Sequence, residues 1–238
     1  MIAGLSRAVN IILAPLLALT AFLLILFTYL SPVLMLSTQV SLITVSPSTS
    51  LIQTNSSSST SLLDGPSVFL GALGSCSRPN QESAVTCTLP TVSPTYNLAV
   101  LPPSAPDLLN APTATTPAFI AVSLALMFIF IIMYTLTSHR AALGKIGVPF
   151  ERPNVQRATA WIGFLGFIIG ITSFLVLFMW FWKAVDDFNT DISKLGSEAP
   201  DLIAATSNGF VMVWVGYAFY AVPLVSSLSK LHVASGKA

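Results

Sequence analysis

Four long runs free of Asp, Glu, Lys, Arg and His constrain this chain more than any other feature: Val9–Leu36, Ala118–Ser138, Ala158–Trp182 and Leu202–Ser229. An α-helix rises about 1.5 Å per residue, so about 20 apolar residues cross the hydrocarbon core of a bilayer. Each run is long enough. Only 8% of the residues are charged, against about a quarter in a soluble domain. The mean hydropathy is +0.80. The expected architecture is a single membrane domain over 1–238, an α-helical bundle of four transmembrane helices. Val9–Leu36 is too long for the apolar core of a signal peptide and no small-x-small cleavage site follows it, so it is read as a retained span.

Charge sorts the connecting segments. Those before the first span, between the second and third, and after the fourth carry Arg7, Arg140, Lys145, Arg152, Arg157, Lys230 and Lys237, with Glu151 as their one acid. The other two segments carry three bases, Arg78, Lys183 and Lys194, and eight acids: Asp64, Glu82, Asp107, Asp186, Asp187, Asp191, Glu198 and Asp201. By the positive-inside rule both termini and the loop 139–157 face the cytosol, while 37–117 and 183–201 face outward. Arg140, Lys145, Arg152 and Arg157 then form a basic loop next to anionic lipid, each contributing about 1 kcal/mol of attraction. Topogenic charge alone explains them equally well.

The outer loop 37–117 contains short runs of strand character at Val40–Val45, Ser67–Leu73, Ala84–Leu89 and Tyr96–Leu101, bounded by Gly, Pro, Ser or Asn. They predict an antiparallel sheet of three or four strands. Between the first two lies a serine-rich excursion with one N-glycosylation sequon at Asn55. Seven prolines between Pro90 and Pro117 predict an extended return to the membrane. The chain has two cysteines, Cys76 and Cys87, which pair with each other or stay free. An oxidising outer compartment favours pairing.

Gly163, Gly166 and Gly170 in the third run let helix backbones approach closely, inside the bundle or in self-association. Beyond Trp182 the helical pattern continues, with Val185, Phe188, Ile192 and Leu195 on one stripe and Asp186, Asp187 and Asp191 off it. Gly196 is a stop signal. The aspartates lack the ligand count of a calcium loop, and the two histidines have no partner at ligand spacing. No nucleophile motif, phosphate-cradling loop or carboxylate pair is present, and none of the four runs holds the ionisable groups that transporters place at membrane depth. The reading is a protein that is not an enzyme and uses no cofactor or metal.

Residues Leu70–Cys76, LGALGSC, followed by Cys87 in the first outer loop of a four-span chain, resemble the claudin superfamily signature Gly-Leu-Trp-x-x-Cys…Cys. The stretch looks closest to the fungal PalI/Sur family of eisosome-associated plasma-membrane proteins, whose version reads much like LGLWGYC…C. Gly71, Gly74, Cys76 and Cys87 match, and Leu73 stands where the family carries tryptophan. The resemblance implies a claudin-like outer sheet, an extended third helix, and a role in membrane microdomains, cell-wall integrity or ambient-pH sensing. The function expected is a non-catalytic plasma-membrane protein that organises membrane domains or cell-wall-linked assemblies through lateral and extracellular contacts. The alternatives are an auxiliary subunit of a larger complex, such as a channel or polysaccharide synthase, and a small transporter or channel. Expected partners are membrane lipids and other membrane proteins (itself, or a larger complex), with no nucleic acid.

Overall fold

The structure is a computed structural model that describes residues 12–48, 64–139, 144, 150, 152–196 and 199–235, of which 230–235 by backbone alone. Four apolar helices run through it: α1 (Ala14–Leu30), α2 (Thr115–Ser138), α3 (Pro153–Lys194) and α4 (Asn208–Ser235). The last three are long and apolar enough to cross a membrane. With 42 residues, α3 extends about 63 Å, twice the thickness of a hydrocarbon core. α1 has 17 residues, or about 26 Å, and lies within the expected run Val9–Leu36. Pro15 sits in its first turn, where a missing N–H costs little, and Pro32 lies just past its end. This is a multi-span helical membrane protein, and its surface agrees: Phe119, Val122, Phe128, Ile129 and Ile132 on α2 and Trp161, Leu165 and Ile168 on α3 are exposed. A water-soluble surface would not carry such a density of large apolar side chains.

Internal contacts divide the chain into two units. The first comprises Met1–Leu26, Ala118–Phe174 and Met212–Ala238. Its core is built from stripes at helical spacing: Ala14, Ala18, Ala21 and Ile25 on α1, Ile120, Leu124, Met127, Phe130 and Tyr134 on α2, Val213, Tyr217, Tyr220 and Leu224 on α4. The glycines of α3 fill this interior. A Cβ on Gly163 would lie 2.5 Å from the Phe130 ring, and one on Gly166 would lie 3.1 Å from the Leu126 Cβ. On Gly170 it would run into the Tyr217 and Ser123 hydroxyls. The close approach exposes glycine carbonyls to side-chain donors: Ser123 Oγ donates to the Gly166 oxygen at 2.7 Å and Tyr220 Oη to the Gly163 oxygen at 3.3 Å. The small-residue face of α3 is therefore occupied within the chain by α2 and α4.

The second unit, Phe27–Pro117 and Leu175–Val211, carries a small, open antiparallel sheet. Its strands are β1 (Ile43–Pro47), β2 (Ser67–Leu70), β3 (Ser75–Arg78), β4 (Thr86–Cys87) and β5 (Leu202–Thr206), in the order β4-β3-β2-β1-β5. The sequence pointed to three or four strands, and the differences have physical causes. Ser67–Leu73 is cut short at Leu70 because Gly71–Gly74 turns the chain, with Gly71 N–H donating to the Gly74 carbonyl at 2.9 Å. Ser75–Arg78, too polar to stand out as a strand, is the next one. Tyr96–Leu101 is not a strand. Its backbone donors go elsewhere, with Asn97 N–H on Ser75 Oγ at 2.9 Å and Leu101 N–H on the Leu98 carbonyl at 2.9 Å.

The expected fourth run, Leu202–Ser229, is likewise divided. Leu202–Thr206 is strand β5, buried and exposed in alternation at Leu202, Ile203 and Ala204, and α4 begins at Asn208. The junction is tied to the start of β1: Ser207 N–H donates to the Leu42 carbonyl at 2.9 Å and Gly209 N–H to the Ser41 carbonyl at 3.0 Å. The same register, with Ser48 N–H on the Asp201 carbonyl at 2.9 Å, turns Ala204's backbone groups away from β1 towards the open edge. Asn189 of α3 meets them with both halves of its amide, donating to the Ala204 oxygen at 2.8 Å and accepting from its N–H at 2.9 Å. One side chain thus stands in for a sixth strand and blunts an edge that would otherwise template pairing. Asn189→Ala is expected to destabilise this unit by about 1–3 kcal/mol, because a donor and an acceptor lose their partner together. Hydrogen exchange at the Ala204 amide should rise in Asn189→Ala and much less in Asn189→Asp, whose carboxylate can still accept. Wild-type protection in the alanine variant would contradict the assignment.

Candidate functional site

The residues of the motif LGALGSC converge on the β2–β3 turn. Leu70 closes β2, Gly71 to Gly74 make the turn, and Cys76 lies in β3. Gly71 is required sterically, since a Cβ there would collide with the Ser31 carbonyl and the Pro32 ring. Gly74 has φ of 155°, a conformation that L side chains rarely adopt. Leu73, 5% exposed, points inward, and its carbonyl accepts from Thr91 N–H at 3.1 Å. The Gly71 carbonyl accepts from Tyr96 Oη at 2.8 Å, and the Tyr96 ring lies 6.4 Å from that of Phe181 on α3. Phe181 in turn meets Phe210 at 6.3 Å. The turn is thus clamped from one side by the proline-rich segment and backed by aromatic rings.

Cys76 and Cys87 form a disulfide joining β3 to β4. They face each other with Cα atoms 4.0 Å apart. Thr88 N–H donates to the Ser75 carbonyl at 2.9 Å, so 75/88 is a hydrogen-bonded pair and 76/87 the non-bonded pair next to it, where side chains come closest. Cys76 is fully buried and Cys87 is exposed. Beyond β4 the chain leaves Leu89 85% and Val92 46% exposed. Arg78, at the far end of β3, places its guanidinium 5.7 Å from the centre of the Phe69 ring.

Burial pushes the Tyr96 hydroxyl far above its ordinary pKa. A group whose folded pKa is raised contributes stability that is complete below the unfolded value, about 10, and lost as pH climbs past it. The unit should therefore loosen above about pH 10. Tyr96→Phe should cost about 1 kcal/mol at neutral pH and flatten that alkaline decline. Unfolding temperatures measured from pH 8 upward in both proteins check this, and parallel curves would refute it.

Two of the three aspartates on α3 are paired on their own helix. Lys183 Nζ lies 2.7 Å from Asp187 and Lys194 Nζ 2.6 Å from Asp191. Among the described residues no three His, Cys, Asp or Glu side chains come together as metal ligands would. Of the expected apolar stripe, Phe188 is fully buried, Val185 and Ile192 are half-buried and Leu195 is exposed; α3 stops at Lys194, with Gly196 just beyond it at φ 58°. In the basic loop, Arg152 and Arg157 are exposed at the start of α3, while Arg140 and Lys145 lie outside the described residues, as does Asn55.

The site element that sequence reasoning missed is a groove of 540 Å³ between the segment at Leu108–Asn110 and the flank of α3. The signal for it was present: Trp180 and Trp182 close an apolar run that Lys183 ends. What the sequence lacked was the strap that makes a wall opposite them. No family model, curated protein or solved structure matches this chain.

Proposed function

We propose that this protein is a non-catalytic plasma-membrane organiser of the PalI/Sur type. It has four spans, both termini in the cytosol and a claudin-like sheet outside the cell, and it assembles membrane domains or cell-wall-linked complexes through lateral and extracellular contacts. The observation that carries the reading is the turn itself. Gly71, Leu73, Gly74 and Cys76 act as one clamped element, with Leu73 buried at the position where the resembled family carries tryptophan. In this orientation Asn55 is a glycan acceptor and Arg140, Lys145, Arg152 and Arg157 lie against the inner leaflet.

A fluorescent fusion tests the reading. Organisers of this kind give stable patches in the plasma membrane and co-purify with several membrane proteins in no fixed ratio. A diffuse distribution, or solute flux through the purified protein in liposomes, would overturn it. A second reading, an auxiliary subunit of a larger complex, is favoured by Leu89 and Val92, which stand exposed beside the open edge at β4. That reading requires one stoichiometric partner in mild detergent, lost on Leu89→Lys.

A further inference from the structure

The groove on α3 crosses a chemical boundary. Its lower wall, Val176 and Met179, belongs to the last turns of the apolar run, and its upper lip, Lys183 and Asp187, lies past the end of that run at Trp182. Tryptophan concentrates where hydrocarbon meets headgroups, and here Trp180 is held in place as a wall by its Nε1–H donating to the Asn110 carbonyl at 3.2 Å. The floor is Ala184, whose small side chain leaves the space open. At 540 Å³ the groove falls within the range of about 300–1,000 Å³ typical of ligand sites. In a bilayer, a groove at this depth is covered by lipid.

The lip carries the charges that a headgroup would meet. Lys183 Nζ reaches both Asp187 carboxylate oxygens, at 3.0 and 2.7 Å, so one cation and one anion face the groove. A headgroup of net negative charge would gain Lys183 but meet the Asp187 carboxylate with which Lys183 is already paired. A phosphate bearing an ammonium group exchanges charge for charge with the ion pair. A primary ammonium, moreover, donates hydrogen bonds to Asp187 as Lys183 does; a quaternary one cannot.

We propose that this groove binds a zwitterionic phospholipid with a primary ammonium, of the phosphatidylethanolamine class. An acyl chain lies along Val176, Met179 and Trp180, the phosphate takes Lys183 and the ammonium takes Asp187. This goes beyond the organiser reading and stands independently of it.

Native mass spectrometry of the full chain, delipidated in detergent and then titrated separately with phosphatidylethanolamine, phosphatidylcholine, phosphatidylglycerol and a sterol, tests the assignment. One phosphatidylethanolamine should be retained under activation that strips the other three. Ala184→Phe should fill the floor and abolish that retained lipid. Asp187→Asn, at a side chain 41% exposed, should weaken retention about tenfold through loss of one charge-assisted hydrogen bond. Equal retention of all four lipids, preference for any of the other three, or an unchanged lipid profile in Ala184→Phe would overturn it. Should Ala184→Phe fail to fold, as judged by its disulfide and unfolding temperature, unchanged selectivity in Asp187→Asn is sufficient to overturn it.

Discussion

Replacing Cys76 with serine is expected to release the β4 edge and the turn behind it, at a cost of about 3 kcal/mol. The two cysteines are 11 residues apart, and β4 itself is only Thr86–Cys87, too short to hold a register without help. The chain just beyond β4 depends on that register. The Thr88 hydroxyl accepts from Ser75 N–H at 3.0 Å, and Thr91 N–H supports Leu73 at 3.1 Å. Losing the staple therefore loosens the wall of the turn as well as the edge strand. The serine hydroxyl would also sit in a site of zero exposure, where an unpaired polar group carries its own penalty. The helices should persist, since their hydrogen bonds close within each segment. Limited proteolysis should cut between residues 79 and 92 in Cys76→Ser while far-UV circular dichroism stays helical. Cleavage resistance equal to the wild type would show that the disulfide holds nothing the hydrogen bonds do not.

In the helical unit the largest effect is expected from Gly170→Leu. The Tyr217 and Ser123 hydroxyls occupy the space that even a Cβ would need, and the Phe174 and Phe167 rings lie 6.2 and 5.7 Å from the Tyr217 ring. An added isobutyl group must push α2 and α4 off α3 or displace Ser123 from the Gly166 carbonyl. Overpacking of this kind costs about 1–3 kcal/mol, and more where backbone must move. Gly163→Ala adds one methyl against the Phe130 ring rather than a whole isobutyl group, so it should cost less. Thermal unfolding in detergent should rank wild type above Gly163→Ala above Gly170→Leu. A reversed order would mean that the close approach at Gly170 does not support the bundle. The packing also decides how the glycine spacing is used. With Phe130, Met127, Ser123 and Tyr217 filling it, that face has no room for a second copy of the chain.

Much of the helical unit was legible in the sequence. The helices announce themselves because a bilayer-spanning segment has to satisfy its backbone internally and bury its apolar surface in lipid, so composition over about 20 residues suffices. The disulfide was legible as well, since two cysteines in one loop have a single way to pair. Less legible was the sheet. Ser75–Arg78 pairs along its length with Ser67–Leu70 although its residues are mostly polar and carry no strand pattern, because the strand beside it, rather than its own side chains, fixes its conformation. Leu202–Thr206 is apolar enough to pass for the start of a helix, and only β1 alongside it selects the strand.

What the sequence by itself determined is everything that depends on one segment and its solvent: the apolar helices, the charge asymmetry of the loops, the glycine face and the single pairing open to Cys76 and Cys87. What only the tertiary structure decided is everything that needs two distant segments at once. The placing of β5 beside β1, Asn189 capping Ala204, Tyr96 clamping Gly71 and the groove between Trp180 and Asn110 all join residues at least 15 positions apart. Local propensity is a property of neighbours along the chain, whereas each of these contacts exists because distant groups left unpaired at one place found their complement at another.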